Sequence, residues 1–473
     1  MLANKVFATI FKERPVFEEL LTGSGHLSIS DYYASRQHRW LKVPTGRQNE
    51  LLTTVSELLD PLLGKRVASS VTAQLKQRPI VSTAGHHDTV SHPFFSSAVL
   101  AEAEYARNQG FQNVIIFSCG GISLNNSSFP RGFLLHDSQM KEQRLYLTSL
   151  KHHRHPVFRQ PRYTQEAMIR LSREINTLNL SLNQKNKLKS LLLQTYGSPT
   201  ALRLPDYSSQ LTRGIFTLWK KIPGLADINV VYLEQETLVN TLLRKFHLKD
   251  KTILNDILLT PKIRSSFLKQ FDGISGGFDS KEQRGTELFW GVTKTGRVPL
   301  KIVGQELTSV DHTFRVRLTA SELAKALNEK TLMPSMALTF SVLSFYYGMA
   351  TAGGFCQVNY LTEMREAYKK FLLEIKAMPI DKLITKTVPT DFFSGEFIVA
   401  LLSKNKTVVP ATPIDLILYK NKATKNVIKK LLSTLTLAES ITLMAPELYK
   451  ITTGTYPKTL IQPTHSPCLL IKS

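Results

Sequence analysis

The chain has 473 residues, of which 42% are hydrophobic, and its formal net charge is +23 at pH 7. This length allows a large buried core and predicts two or three domains. The positive charge favours anionic partners such as nucleotides, polyphosphates or nucleic acid. The basic residues are dispersed, and no RGG, zinc-knuckle or RNP-type motif accompanies them. Nucleic acid is therefore a possible partner that the sequence does not favour.

The cysteine content and the hydropathy pattern predict a cytoplasmic protein. The chain contains only Cys119, Cys356 and Cys468, without a CxxC pair, which argues against a disulfide framework and indicates a reducing compartment. A charged triplet at positions 12–14 interrupts the start before a secretory signal can form. The segment 331–362 lacks charge, but its proline, glycines and amides favour a buried helix running into a glycine turn. We therefore expect no membrane partner.

The pattern along the chain predicts four regions. Residues 1–75 form an N-terminal mixed segment, and 76–310 a Rossmann-like core with a helical insertion at about 141–215. Residues 311–379 are a helical segment completing the core, and 380–473 a basic C-terminal appendage. The core begins with a βαβ unit, because an apolar run at 79–83, a helical stretch at 96–108 and a second buried run at 113–118 follow one another.

The loop between the first strand and its helix is the strongest functional signal. It reads Gly85-His86-His87-Asp88-Thr89-Val90-Ser91-His92-Pro93 and carries three of the twelve histidines. Such a loop lies at a strand's carboxyl end and a helix N-terminus, where parallel sheets bind phosphates. We predict that His86, His87 and His92 are catalytic, contacting phosphates and stabilising developing charge, and that Gly85 approaches the cofactor.

The same loop also allows a metal site. Zn²⁺ and Fe²⁺ prefer imidazole and carboxylate ligands, which His86, His87, Asp88 and His92 supply. His136 is a further potential ligand. A metal-dependent hydrolase or oxidase is therefore an alternative function. A purely structural role, as helix caps or core residues, is the third interpretation of these histidines.

A second polar loop follows the second strand, from Ser118 to Pro130. Its paired glycines allow a ligand to approach the backbone closely. Cys119 is either a nucleophile or a buried structural cysteine; no neighbouring residue marks a low thiol pKa, which favours the structural role. The cofactor-binding residues predicted in and after this loop are Gly120, Gly121, Ser123, Asn125 and Arg131.

Later segments predict the remaining walls of a site. Residues 151–162 form a basic loop, and Arg154 is predicted to clamp a phosphate or carboxylate, the alternative being a solvated loop. A buried strand at 228–233 and a helix at 234–246 indicate that the sheet continues. After the glycine pair at 353–354, Gln357 and Tyr360 are predicted to bind substrate. The alternative is a glycine turn between two core helices.

Two short windows resemble one enzyme family. They are Ser82-Thr83-Ala84-Gly85-His86-His87, and Leu332-Met333-Pro334-Ser335 followed by the stretch from Gly353 to Leu361. Together they resemble the cysteine-adding ligases of bacillithiol biosynthesis, which carry a Thr-Gly-Gln-Gln-type loop early and a Pro…Gly-Gly-Pro…Tyr segment late. Histidines stand here where that family has glutamines. The resemblance implies a HUP-type nucleotide-binding fold and amide-bond formation to a small acceptor.

We therefore expect an α/β protein with a Rossmann-like (HUP-type), mainly parallel sheet, helical insertions and a small C-terminal α+β appendage. The leading function is an ATP-dependent ligase or nucleotidyl-transferring enzyme acting on a small molecule, with ATP and Mg²⁺ as cofactors. The alternatives are the metal-dependent enzyme, with Zn or Fe, and a non-catalytic binding protein for an anionic partner. The sequence pattern does not indicate an oligomeric state.

Overall fold

The computed structural model describes residues 2–40, 42–90, 92–222, 224–402, 408–419, 424–442, 444–457 and 469–472. Within these ranges the chain is mixed α/β with a parallel sheet of four strands. The predicted α/β class is therefore confirmed. Among the helices described, none combines the length and the apolar character needed to cross a bilayer.

Strands occur along most of the described chain. They are β1 (Ile80–Ser82), β2 (Asn113–Ser118), β3 (Gly132–His136), β4 (Glu142–Tyr146), β5 (Asn229–Glu234), β6 (Phe289–Val292), β7 (Arg297–Val303), β8 (Glu306–Ser309), β9 (Arg315–Arg317), β10 (Leu332–Pro334), β11 (Ala350–Ala352), β12 (Val399–Leu402), β13 (Val408–Pro410) and β14 (Leu469–Lys472). Most of them are short, and three sheets other than the central one use antiparallel pairs.

Helices make up most of the remaining described structure. They are α1 (Leu2–Glu13), α2 (Pro15–Ser24), α3 (Ile29–Ser35), α4 (Thr45–Leu63), α5 (Lys65–Gln77), α6 (Pro93–Asn108), α7 (Gln165–Thr177), α8 (Leu182–Thr195), α9 (Pro199–Leu202), α10 (Tyr207–Trp219), α11 (Gln235–Leu242), α12 (Ile253–Leu259), α13 (Pro261–Phe271), α14 (Ala320–Asn328), α15 (Met336–Phe340), α16 (Phe355–Glu374), α17 (Pro379–Thr387), α18 (Pro413–Leu418), α19 (Thr424–Thr434), α20 (Leu437–Thr442) and α21 (Ala445–Thr453). Helices α11 and α15 continue into π-helical turns at Leu243–His247 and Ser341–Tyr346.

The central sheet has the strand order β5–β2–β1–β11, and all of its pairs are parallel. Strand β2 is buried along its whole length, which fits the continuous apolar runs of parallel strands covered on both faces. Counted along the chain, the order is 3-2-1-4. The direction in which strands are added therefore reverses between β1 and β11.

The side chains of alternate β2 residues pack into two separate hydrophobic cores. Val114 and Ile116 pack with α6 on one face, and Ile115 and Phe117 pack with α4, α5 and α11 on the other. This period of two is what a strand requires when helices cover both faces of its sheet. The predicted βαβ unit, β1–α6–β2, is therefore confirmed, as is the strand–helix pair β5–α11.

The long insertion between β2 and β5 begins with a hairpin that the sequence analysis did not predict. Strands β3 and β4 pair antiparallel, and helices α7 to α10 follow, with α10 packed on β5. Strands β6 and β7 form a second hairpin, which belongs to an antiparallel sheet of order β10–β6–β7–β8–β9.

The segment 311–379 is less purely helical than the sequence suggested. It contributes β9 and β10 to the antiparallel sheet and β11, an edge strand, to the central sheet. Beyond it, the described parts of 380–473 combine helices α18 to α21 with a three-stranded sheet of order β13–β12–β14. Helices α20 and α21 pack back on α2 and α1, so this region returns to the N-terminal helices and covers the end of the central sheet.

Candidate functional site

A cavity of about 450 Å³ lies at the carboxyl end of the central sheet. Its walls come from the residues that follow β1, β2, β5 and β11, and from the first turns of α6 and α16. The antiparallel sheet supplies Trp290 and Arg297 on one side, and Met444 and Leu448 cover another. Ligand sites of α/β sheets lie at this end of the strands, at the point where the strand order reverses.

The first wall is the loop after β1, which stays paired to the end of β2. The backbone N–H of Cys119 donates to the carbonyl of Gly85 at 3.1 Å, and that of His87 donates to the carbonyl of Cys119 at 2.8 Å. His86 and Cys119 are thereby neighbours across the sheet end, and both side chains line the cavity. The His86 Nδ1 atom is buried without a hydrogen-bond partner among the described residues.

The side chains of His86 and His87 point in different directions although the two residues are adjacent in the chain. Burial lowers the pKa of His86 to about 4, so the imidazole facing the cavity is neutral at pH 7. His87 points away from the cavity: its Nδ1 lies 2.6 Å from the Ser118 Oγ and its Nε2 lies 3.0 Å from the Ser208 carbonyl oxygen. His87 therefore ties the loop to β2 and α10.

His92 and Asp88, two further polar residues of this loop, are not among the residues that line the cavity. His92 caps α6, accepting the Phe94 N–H at 3.4 Å, and burial with the nearby His86 lowers its pKa to about 4. Asp88 is fully buried, which raises its pKa well above the usual value. Gly85 packs in the core, where an added Cβ would lie 3.2 Å from a methyl group of Ile116.

The residues proposed as metal ligands therefore diverge. His136 lies at the end of β3 and pairs through Nδ1 with the Asp415 carboxylate at 2.8 Å. Over the described ranges, no three His, Cys, Asp or Glu side chains gather into a group able to hold a metal ion. The metal-dependent alternative stays a prediction without a convergent ligand set in this part of the chain.

The second wall follows β2, where the backbone binds a buried carboxylate. The N–H groups of Gly120 and Gly121 donate to Glu236 at 2.8 and 2.9 Å, and Gly121 lines the cavity. A Cβ on Gly120 would collide with the carboxylate of Glu234, so this approach requires glycine.

The polar residues predicted further along this loop lie elsewhere. Ser123 donates to the side-chain oxygen of Asn125 at 2.6 Å in an exposed turn. Arg131 is buried, with its guanidinium carbon 4.4 Å from the centre of the Tyr146 ring. Among the lining residues of the cavity, these three side chains do not occur.

Glu236, at the start of α11, is a site residue that the sequence analysis missed. It is 3% exposed, and burial together with the charge of Glu234 raises its pKa to about 7. The Cys119 thiol donates to its Oε1 at 3.3 Å. The signal that would have found Glu236 is its position directly after the third parallel strand, where the same rule that singled out His86 applies.

The far wall is the start of α16, where Gln357 and Tyr360 both line the cavity. The Gln357 amide donates to the Thr83 hydroxyl at 2.6 Å and so joins α16 to the end of β1. Burial raises the pKa of Tyr360 far above its usual range, so its hydroxyl stays protonated at neutral pH. The helix starts with Gly354 as its N-cap, and its first turn faces the cavity.

Arg297 is the second residue that the sequence analysis missed, and it supplies a positive charge. Its Nη1 donates to the Gly121 carbonyl at 2.8 Å, and its guanidinium carbon lies 4.5 Å from the centre of the Trp290 ring. Arg154, predicted for this role, is exposed and is not among the residues that line the cavity; its carbonyl group and Cβ lie beside Gly296. No local pattern distinguishes Arg297 from the other arginines of the chain.

These walls make a largely apolar site with a few polar groups. Aromatic rings line it from several elements, and Arg297, two helix N-termini, the neutral His86 and the Glu236 carboxyl supply its polarity. Such a cavity suits a flat, partly apolar molecule that carries an anionic group.

A scan against models of protein families finds no match for this chain, and a search of curated proteins finds no similar sequence. The resemblance to the cysteine-adding ligases therefore remains a prediction from the two windows.

Proposed function

We propose that the protein is an enzyme that binds a nucleotide in the cavity at the carboxyl end of its central sheet. The observation that carries this proposal is the position of the cavity, beside the strand pair β1–β11 where the order 3-2-1-4 reverses direction. This is the position of the nucleotide in Rossmann-like and HUP-type sheets, the finer fold class that we propose for this chain.

The chemistry of the walls supports a nucleotide as ligand. Aromatic side chains such as Phe95, Trp290 and Phe355 offer faces on which a base stacks. The first turns of α6 and α16 present the positive ends of two helix dipoles, and Arg297 adds a guanidinium. His86 offers a neutral imidazole whose Nδ1 atom has no hydrogen-bond partner among the residues that the structure describes. A volume of about 450 Å³ is within the range of small-molecule sites.

The reaction class that we propose is ATP-dependent ligation or nucleotidyl transfer on a small molecule, with amide-bond formation as the outcome. In that reaction, His86 and Arg297 would face the charge that develops on the transferred group, and Gln357 and Tyr360 would contact the acceptor. Mg²⁺ would accompany the nucleotide.

A thermal-shift titration of the metal-stripped protein tests the proposal. The probes are ATP with Mg²⁺, ADP, adenosine, and Zn²⁺ or Fe²⁺ alone. Because a ligand that binds only the folded state raises the melting temperature, ATP at 100 times its Kd should stabilise the protein by about 2.7 kcal/mol. Zn²⁺ or Fe²⁺ alone should give no shift.

Two arginine variants make the test specific to the cavity. Arg297→Ala should reduce the nucleotide shift strongly, whereas Arg154→Ala, which removes the same side chain outside the cavity, should retain it. A shift with Zn²⁺ or Fe²⁺ but none with nucleotide would overturn the proposal in favour of the metal-dependent enzyme. A nucleotide shift that is lost only in Arg154→Ala would place the site elsewhere.

A further inference from the structure

We propose that Cys119 and Glu236 form a nucleophile–base pair that carries an acyl group as a thioester in the cavity. The inference deepens the proposed function and rests on it for the location of the substrate. It names the class of substrate as an activated acyl compound, such as an acyl ester or acyl phosphate, and the acceptor as a small amine.

The geometry is that of a nucleophile beside its base. The Cys119 thiol donates to the Glu236 Oε1 at 3.3 Å, and both side chains line the cavity. Two backbone N–H groups, from Gly120 and Gly121, hold the carboxylate at 2.8 and 2.9 Å. The base is thus oriented by a third group, which is the arrangement that activates nucleophiles in acyl transfer.

The charged surroundings explain why the thiol needs this base. Glu234 from β5, Arg297 from β7, Tyr360 from α16 and His86 face the pair, and Lys330, ion-paired with Asp206 at 3.0 Å, lies near Glu234. Burial and the Glu236 charge raise the pKa of Cys119 well above its usual value, so a resident thiolate is disfavoured at neutral pH. Glu236, whose pKa is raised to about 7 by burial and Glu234, can accept the proton there.

The proposed steps conserve atoms and charge. In the first, the bond from the Cys119 sulfur to the acyl carbon forms, the bond to the leaving oxygen breaks, and Glu236 passes the thiol proton to that oxygen. In the second, the amine nitrogen attacks the thioester carbon and the carbon–sulfur bond breaks. Glu236 then moves a proton from the amine to the sulfur, which restores the thiol.

Peptide-resolved mass spectrometry of iodoacetamide labelling tests the pair without any substrate. As the pH is raised, the labelling rate of Cys119 in the wild-type protein should increase with an inflection near pH 7, because Glu236 accepts the thiol proton only when ionised. Cys356 is the internal control: it lines the same cavity but faces Arg14 at 3.9 Å, and burial raises its pKa, so its labelling should rise only in the alkaline range.

The variant Glu236→Gln should lower the Cys119 rate at pH 8 by about 10²-fold while leaving the Cys356 rate unchanged. Its melting curve shows whether it folds; if it does not, the wild-type pH profile decides alone. A Cys119 profile that rises only in the alkaline range, in parallel with Cys356, would overturn the pair. Because labelling requires no nucleotide, this failure is distinct from a missing nucleotide shift, which would overturn the proposed function instead.

Discussion

The neighbouring residues His86 and His87 show that the surroundings of a side chain, and not its residue type, decide its role. His86 faces the cavity with a buried ring nitrogen that has no partner in the described structure. His87 uses both ring nitrogens in hydrogen bonds to Ser118 and Ser208. The sequence placed both in one catalytic group, because adjacency in a loop does not reveal in which direction each side chain points.

Alanine at each of the two positions separates these roles. His87→Ala should lower the free energy of unfolding by about 2–4 kcal/mol, because it removes two buried hydrogen bonds and leaves a void. His86→Ala should change it by less than about 1 kcal/mol, since the His86 Nδ1 atom makes no hydrogen bond to any of the described residues. Urea denaturation measures both values.

If both variants fold, the one that loses less stability should lose more of its affinity for nucleotide. His86→Ala should weaken binding, and His87→Ala should bind like the wild-type protein. Equal stability losses in the two variants would contradict the different placements of the side chains.

The ion pair between His136 and Asp415 predicts a pH-dependent stability. Burial lowers the pKa of His136, but the hydrogen bond and charge of Asp415 outweigh it, and the folded-state pKa is raised. A raised pKa makes the pair's contribution complete below the unfolded value of about 6.5, and the contribution is lost as the pH rises through the folded value. The stability difference between wild type and His136→Gln should therefore shrink from pH 6 to pH 9. The control is His26→Gln, which removes an exposed histidine that lies outside this pair.

At the scale of elements, a helix or strand was predicted correctly from the sequence where the pattern of its own residues was sufficient to identify it. Strand β2 is an apolar β-branched run, and α6 begins at a histidine cap followed by proline, so β1–α6–β2 followed from local pattern alone. Strand β11 was missed because three small residues inside an uncharged segment also fit a buried helix. Hairpin β3–β4 was missed because half of it is exposed and polar.

The loop after β2 lies so close to the end of β5 that we expect Gly120 to be required for stability. Gly120→Ala should destabilise the protein by about 1–3 kcal/mol, because the added Cβ meets the Glu234 carboxylate in a packed region. Gly46→Ala is the matched control. It lies near the start of α4 with open space around it, so the same change should be neutral or stabilise by up to about 1 kcal/mol. Thermal denaturation of the two variants gives the comparison.

A neutral Gly120→Ala would mean that the Glu234 carboxylate can move away from the loop, and would contradict the requirement for glycine at this position.

At the scale of the whole molecule, the site is assembled from distant parts of the chain. His86, Glu236, Arg297 and Gln357 meet at one end of the sheet although more than two hundred residues separate the first from the last. The position of each strand's carboxyl end was a usable guide for His86 and would have served for Glu236. Arg297 comes from a different sheet, and no pattern in one sequence relates it to the cavity.

The net charge of +23 predicts how salt acts on ligand binding. Attraction of an anionic ligand by the summed positive charge is screened as ionic strength rises, so the affinity for ATP should fall roughly 3- to 10-fold between 0.05 and 0.5 M NaCl. Adenosine, which is neutral, should bind with an affinity that hardly changes. Titration calorimetry at several salt concentrations measures both; equal salt dependence for the two ligands would contradict phosphate recognition.

A crystal structure of the protein grown with ATP and Mg²⁺ is the most direct test of the central claim, that the end of the parallel sheet is a nucleotide site. The account predicts nucleotide density in the cavity, with the base among the aromatic side chains and the phosphates near Arg297 and the first turns of α6 and α16. Nucleotide bound at another surface, with this cavity left to solvent at saturating concentration, would contradict it.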